Sequence, residues 1–191
     1  MTTLLLASNN SKKIGEIKKL LPNYIVKSLA EIGCTEDIPE TASTFKGNAL
    51  LKAQYLVKKY NLPCFSDDSG LVVEALNGEP GIYSARYAGA AKDDDLNMDK
   101  LLKNLDGIEN RKAYFTTVIC FQDGTEIHYF EGQIHGTIGH QKRGNQGFGY
   151  DPIFIPNGSQ KTFAELSDQE KNANSHRSKA VAKFVEFLNQ Q

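Results

Sequence analysis

Leu4 to Ala7 is an apolar run of four residues, too short for a helix, and only Ser8, Asn9 and Asn10 separate it from a segment with helical spacing. Over Ser11 to Leu21, Ile14, Ile17, Leu20 and Leu21 share one face, and Pro22 stops the pattern. A buried strand feeding at once into an amphipathic helix is the opening of an α/β protein. Further along, Tyr24 to Leu29 reads as a second strand, and Ser43 to Tyr60 as a helix with Phe45, Ala49, Ala53, Leu56, Val57 and Tyr60 on one face. Pro63 to Ser66 reads as a short apolar strand, Leu71 to Ala75 resumes apolar character, and Asp93 to Leu105 has the spacing of a helix. Ala113 to Phe121 alternates as a strand, Asp123-Gly124 signals a hairpin turn, and Glu126 to Phe130 returns. Val181, Phe184, Val185 and Leu188 give a last helix its apolar stripe. Strand–helix alternation followed by a hairpin predicts a mixed sheet in one domain over residues 1–191, with no linker or internal repeat.

Composition excludes several classes. The chain has 191 residues, 22 basic and 23 acidic, for a net charge of −1, so no strongly basic surface for a nucleic acid polymer is implied. Cys34, Cys64 and Cys120 are odd in number and far apart, which fits a reducing cytosol and offers no zinc site. The apolar run at Met1 to Ala7 is too short for a signal peptide or a membrane span, so the expectation is a soluble cytoplasmic protein with no membrane partner. There is no G-x-x-x-x-G-K-[ST] phosphate loop and no H-E-x-x-H.

Three places break structural rules. The first helix opens with Lys12 and Lys13, and the last follows Ser175 with His176 and Arg177, although a helix N-terminus carries partial positive charge. Such cations are destabilising by roughly 0.3–1 kcal/mol each, and a bound anion reverses that sign. One such start is explained by solvation and by a Lys12–Glu16 pair at i,i+4; two in one chain point to a polyanionic ligand. Second, Ser66-Asp67-Asp68-Ser69-Gly70 places adjacent carboxylates after a short strand. Neighbours on a strand face opposite ways, so one Asp faces a given site. Hard oxygen donors at a strand end suit Mg²⁺, and an Asx-turn is the alternative. Asp93-Asp94-Asp95, by contrast, sits where acidic helix caps belong. Third, Gly144, Gly147 and Gly149 surround Phe148, with Tyr150 and Asp151 following. Glycines let a backbone approach a ligand and let a ring stand exposed as a stacking platform, the alternative being a flexible loop with Phe148 folded into the core.

Taken together, in this order and spacing, these segments resemble the inosine triphosphate pyrophosphatase family. The landmarks are Ala7-Ser-Asn-Asn-Ser-Lys-Lys-Ile-Gly-Glu16, Glu40-Thr-Ala-Ser-Thr-Phe-Lys-Gly-Asn-Ala49 with Lys52, and Ser66-Asp-Asp-Ser-Gly-Leu71. They continue with Pro80-Gly-Ile-Tyr-Ser-Ala-Arg86, Gly147-Phe-Gly-Tyr-Asp-Pro-Ile-Phe154, Thr162-Phe-Ala-Glu-Leu166 and Glu170-Lys-Asn…Ser175-His-Arg177. The resemblance implies an elongated mixed sheet flanked by helices, two lobes with the active site in the cleft between them, Mg²⁺ dependence and a homodimer. It implies hydrolysis of ITP, dITP and XTP to the monophosphate and pyrophosphate. In the roles it implies, Ser8, Asn9, Asn10, Ser11, Lys12 and Lys13 line the triphosphate, with Asn10 and Lys13 foremost. Glu40 and Asp68 hold the metal, Asp68 also acting as base for water, and Ser69 touches substrate. Lys52, which shares a helix face with Asn48, stands by the departing pyrophosphate. Phe148, Gly149, Tyr150, Asp151, Lys171, His176 and Arg177 form the nucleoside end, where donors from His176 and Arg177 suit a 6-oxo purine and leave adenine mismatched. Two departures stand out: Asn9, where many members have glycine, and Gly47, where many have glutamate.

Overall fold

The computed structural model describes residues 3–36 and 38–190, so Met1 and Thr2 of the first apolar run lie outside the described residues. Six strands form one sheet: β1 (Thr3–Leu6), β2 (Ile25–Ser28), β3 (Cys64–Val73), β4 (Lys112–Asp123), β5 (Glu126–Ile138) and β6 (Phe154–Pro156). Their order is β2-β1-β3-β4-β5-β6. Among the described residues the α-helices are α1 (Ser11–Leu20), α2 (Phe45–Tyr60), α3 (Asp94–Asn104), α4 (Asp168–Ala173) and α5 (His176–Leu188). β1 runs parallel to β2 and β3, whereas β5 and β6 are antiparallel, so the sheet is mixed. None of these helices is long and apolar enough to cross a membrane.

The chain divides into two compact units. The first comprises Met1–Asp68, Thr117–Gly132 and Arg177–Gln191. Within it Leu4 to Ala7 of β1 is buried on both faces, which is why that run shows no polar alternation, whereas β2 alternates between exposed and buried positions. Leu4, Leu6, Phe65, Ile119 and Phe121 pack on one face against Ile17 of α1, Leu21 at its end, and Val181 and Phe184 of α5. The residues between them, Leu5, Ala7, Cys64 and Cys120, pack on the other face against Ala49, Ala53 and Leu56 of α2. The second unit comprises Ser69–Thr116 and Gln133–His176. There Leu71, Val73, Phe115, Ile134 and Ile138 pack with Met98, Leu101 and Leu105, and with Tyr150, Phe154 and Phe163.

Several sequence expectations change. The two apolar stretches around the Asp pair are one ten-residue strand, so Asp67 and Asp68 lie in mid-strand, not at a strand end or in an Asx-turn. The returning strand β5 continues to Ile138, well beyond Phe130. Its second half alternates, with Gly132, Ile134, Gly136 and Ile138 buried, but glycine adds no hydrophobic signal. A Cβ on Gly136 would lie 2.2 Å from the Ile155 carbonyl oxygen, so the pairing with β6 requires glycine there. The short helix α4 is announced only by its capping box, in which the Ser167 hydroxyl accepts from Glu170 N–H and Glu170 accepts in return.

The structure also gives a reason for Gly47. The helix α2 starts at the Thr44 cap, whose hydroxyl accepts from Gly47 N–H at 3.0 Å. The preceding chain folds back over this turn, where Ala42 N–H donates to Asn48 Oδ1 at 2.9 Å. A Cβ on residue 47 would meet the Ala42 Cβ at 2.6 Å. Alanine in place of a helical glycine normally adds about 1 kcal/mol of stability. Here the clash is of a kind that costs about 1–3 kcal/mol. Gly47→Ala is therefore expected to lower the urea midpoint of unfolding, against the helix-propensity trend; a rise would show that the 40–44 segment moves away freely.

Candidate active site

The alternation of β3 sorts the two aspartates. Asp67 shares the parity of Phe65 and points to the face covered by α1 and α5; Asp68 shares the parity of Cys64 and Ser66 and points to the face covered by α2. Ser66 itself donates from its hydroxyl to the Ala49 carbonyl of α2 at 2.5 Å. β1 and β3 run parallel in register, Leu6 opposite Phe65, and Ala7 N–H donates to the Phe65 carbonyl at 2.9 Å. The loop Ala7 to Asn10 therefore leaves β1 beside residue 67, and α1 starts there. Asn10 is its cap, accepting from Lys13 N–H at 3.1 Å. Ser8 is half-buried, Asn9, Asn10, Ser11 and Lys12 are exposed, and Lys13 turns inward.

On the first face, Lys13 Nζ lies 3.1 Å from Asp67 Oδ2 and Arg177 Nε lies 3.6 Å from the same oxygen. Arg177 also donates to Glu16, one turn beyond Lys13 on α1. The Asp67 and Arg177 side chains are 0% and 2% exposed, and Lys13 is 14% exposed, so these charges rely on one another instead of on water. Burial opposes ionisation of Asp67, yet Lys13, Arg177 and Lys52 hold its carboxyl at about 2. For Lys13, burial lowers the pKa, with Lys52 and Arg177 adding to the effect against the pull of Asp67.

On the second face, Asn48 Nδ2 donates to Asp68 Oδ2 at 3.1 Å. Lys52, one turn further along α2, donates to Glu40 Oε1 at 2.6 Å and to the Asp67 carbonyl at 2.7 Å. Asn48 thus ties Asp68 to the segment that carries Glu40, because its Oδ1 accepts from Ala42 N–H. Burial pushes the Asp68 pKa up and Glu40 adds to this, against Lys52, Lys13 and Asn48. Burial opposes the Lys52 charge too, but Asp68, Glu40 and Asp67 hold its pKa above the usual value. No group of three or more metal-ligating side chains occurs among the described residues. What this face offers a cation is the pair Glu40 and Asp68, two hard oxygen donors. Such a set suits a metal that keeps waters and shares phosphate oxygens.

The second unit holds the aromatic segment. Ser69 is half-buried on β3. Asp151 Oδ2 accepts from Phe148 N–H at 2.9 Å and from Lys171 Nζ at 2.6 Å, and the Asp151 and Lys171 side chains are both buried. The Lys171 ammonium stands 5.0 Å from the centre of the half-buried Phe148 ring. Tyr150 is buried and donates to the Ser84 carbonyl at 2.8 Å. The His176 ring is buried too and stacks on Phe115 at 4.8 Å and 14°. The sequence reading explains the glycines by a ligand's approach; the structure gives an internal reason for two of them. A Cβ on Gly144 would lie 2.2 Å from the Ala164 carbonyl, and one on Gly147 2.0 Å from Asp151 Oδ2.

Sequence reasoning passed over Glu16 as the partner of Arg177, and Asn48 as the link between Glu40 and Asp68. Glu16 is visible only as a helical neighbour of Lys12; its pairing with Arg177, 161 positions away, has no local signal.

A mixed α/β sheet with adjacent carboxylates in mid-strand, two lysines beside them and a helix start just beyond the end of β1 is the arrangement of an α/β protein able to receive a phosphate. The chain belongs to the Ham1 family, whose model matches residues 4–187. It is 55% identical over 186 residues to the dITP/XTP pyrophosphatase of Flavobacterium psychrophilum, covering 97% of this chain and 98% of that protein. It is 46% identical over 193 residues to the dITP/XTP pyrophosphatase of Bacillus subtilis, covering 98% of each. Among solved structures it resembles the Staphylococcus aureus Ham1 protein, with TM-score 0.91 and 44% identity over 99% of each chain. It also resembles a HAM1 protein from Coxiella burnetii, with TM-score 0.91 and 39% identity over the whole of each chain.

Asp67→Asn leaves Lys13 and Arg177 buried beside a neutral group. Breaking a buried pair in this way costs about 3–5 kcal/mol, and urea unfolding at pH 7 is expected to show a loss of that size. Asp67 has its folded pKa below the ordinary value of about 4. Its contribution is therefore complete above that value and lost as pH falls through about 2. Between pH 4 and 2 the wild-type midpoint should fall more steeply than that of Asp67→Asn; parallel curves would mean that Asp67 titrates normally.

Proposed function

We propose that this protein hydrolyses non-standard purine nucleoside triphosphates, ITP, dITP and XTP, to the monophosphate and pyrophosphate, and so cleanses the nucleotide pool. The observation that carries the reading is the placement of Asp68, Glu40 and Lys52 on one face of β3, with Lys13 beside the same strand. Relatives that match nearly the full chain bear the name dITP/XTP pyrophosphatase, which supports it.

The reaction consumes one water and breaks the bond between the α-phosphorus and the oxygen that bridges to the β-phosphate. Glu40 and Asp68 are the residues that would hold Mg²⁺, which supplies charge neutralisation at phosphate oxygens and orients the water. Asp68 accepts the proton of the attacking water. Lys52 and Lys13 stabilise the charge that collects on the departing pyrophosphate. The start of α1, with Ser8 to Lys13, receives the triphosphate. No nucleophilic side chain is needed, and no covalent intermediate forms. Phe148 stacks on the purine, with Gly149 to Asp151, Lys171, His176 and Arg177 completing the nucleoside end. In this scheme Arg177 contributes at least as much by holding Asp67 and Glu16 as by meeting a base. The working form is a cytoplasmic homodimer, as the family resemblance implies.

A rate comparison of ITP, XTP, GTP, ATP, dUTP and dTTP with Mg²⁺ tests the proposal. Equal amounts of monophosphate and pyrophosphate should form from ITP and XTP, with GTP, ATP and the pyrimidines much slower. Release of orthophosphate, or pyrimidine rates equal to ITP, would overturn it. Asp68→Asn should lower kcat at least ~100-fold, the contribution expected of a general base, with cooperative thermal unfolding retained. Full activity in that variant would remove Asp68 from the mechanism.

A further inference from the structure

The aspartate run at 93–95 reads in sequence as a redundant helix cap, yet its members do three different things. Asp93 is the cap of α3, accepting from Leu96 N–H at 2.9 Å. Asp95 faces Lys142, whose Nζ lies 3.0 Å from it and 2.7 Å from Asp99. Asp94 is half-buried, and its Oδ2 accepts from the backbone N–H of Gly149 at 2.8 Å, across 55 positions of sequence. Neither capping nor an exposed ion pair accounts for that contact.

Gly149 follows Phe148 directly, and this makes the contact informative. The peptide before Phe148 has its N–H held by Asp151 at 2.9 Å; the peptide after it has its N–H held by Asp94 at 2.8 Å. Fixing both peptide planes that flank one Cα fixes its φ and ψ, and with them the direction of its Cβ bond. Residues 139–153 contain no helix or strand, Gly147 and Gly149 both adopt positive φ, at 74° and 62°, and the Phe148 carbonyl accepts from Asp151 N–H at 3.3 Å, so the two carboxylates act together with turn hydrogen bonds. Hydrogen bonds to a carboxylate are shorter and stronger than neutral ones, so each clamp holds better than a backbone carbonyl would.

We propose that Asp94 is a positioning residue for the nucleoside end: with Asp151 it clamps the two peptides around Phe148 and so aims the ring at the purine. The proposal rests on the reading of Phe148 as the stacking platform. An ionised carboxylate bound to a backbone amide does not read the edge of the base, so Asp94 affects purines alike and acts on KM, leaving kcat nearly unchanged.

The experiment is steady-state kinetics on ITP and GTP for Asp94→Ala, Asp94→Asn, Asp93→Ala, Phe148→Ala and the Asp94→Ala/Phe148→Ala double variant. Asp94→Ala should raise KM about tenfold for both substrates, the worth of one charge-assisted hydrogen bond, with kcat within about twofold. Asp94→Asn keeps an acceptor for Gly149 N–H and should recover most of the loss. Asp93→Ala removes the helix cap and should lower Tm with KM unchanged. If Asp94 acts through the ring, the double variant should be no worse than Phe148→Ala. Amide hydrogen exchange gives a readout independent of turnover, in which Gly149 should exchange faster in Asp94→Ala and not in Asp93→Ala. An unchanged KM in Asp94→Ala beside a raised KM in Phe148→Ala overturns the role of Asp94 and leaves the platform standing. Equal KM effects from Asp93→Ala and Asp94→Ala reduce the role to helix-end stability and overturn it as well. An unchanged KM in Phe148→Ala overturns the platform and this proposal together.

Discussion

Asp67 sits in the middle of a buried strand with 0% of its side chain exposed, and an isolated carboxylate there would lose its proton only at great expense. It stays ionised because Lys13 comes in from α1 and Arg177 from α5. Those two cations are stable there only because the carboxylate is, and Glu16 completes the arrangement on the far side of Arg177. This mutual dependence explains both breaches of helix-end electrostatics at once. Lys13 and Arg177 stand at positive helix starts because a buried anion lies within reach of each. The anion that Lys13 and Arg177 face in the structure is the protein's own Asp67. Asn9, Ser11 and Lys12 at the start of α1 stay exposed to solvent.

The same strand supplies the second carboxylate with a different environment. Asp68 accepts from a neutral amide, Asn48, with Lys52 and Lys13 pulling on its charge against burial and Glu40. One residue along a strand therefore separates a carboxyl pinned at about 2 from one pushed upward. The first is held as an anion by the cations around it; the second is disfavoured as an anion by burial. Chemistry of this sort needs groups of one type with divergent pKa values, and alternation on a buried strand is an economical way to obtain them.

Much of the fold is legible where burial is one-sided or continuous. The stripes of α1, α2 and α5 and the run at Leu4 to Ala7 are apolar because they face the core. Legibility fails where a residue type carries two meanings. Gly132 and Gly136 hide the alternation of β5, since glycine at a buried position adds no hydrophobic signal; at Gly136 it is demanded by the close backbone of β6. Asp67 and Asp68 interrupt an apolar run and look like a turn, because a sequence does not reveal that cations from elsewhere will neutralise them. The site residues near one another in sequence, Asn10 with Lys13 and Asn48 with Lys52, could be placed by helical spacing. The pairs Arg177–Glu16 and Gly149–Asp94 bridge long stretches of chain and have no such ruler.

The strand β3 behaves as a parity code, and this bears on how its segment can change over evolutionary time. Deleting or inserting one residue between Cys64 and Asp67 would keep the letters Asp-Asp but exchange the faces they serve. After an insertion Ser66 would take the place of Asp67 beside Lys13 and Arg177; after a deletion Ser69 would take the place of Asp68 beside Asn48. Point changes in this stretch can be absorbed one side chain at a time; changes of odd length cannot. Variation in chain length among descendants of this protein should therefore accumulate in the connections before and after β3, while the count of residues from Cys64 to Asp68 stays locked.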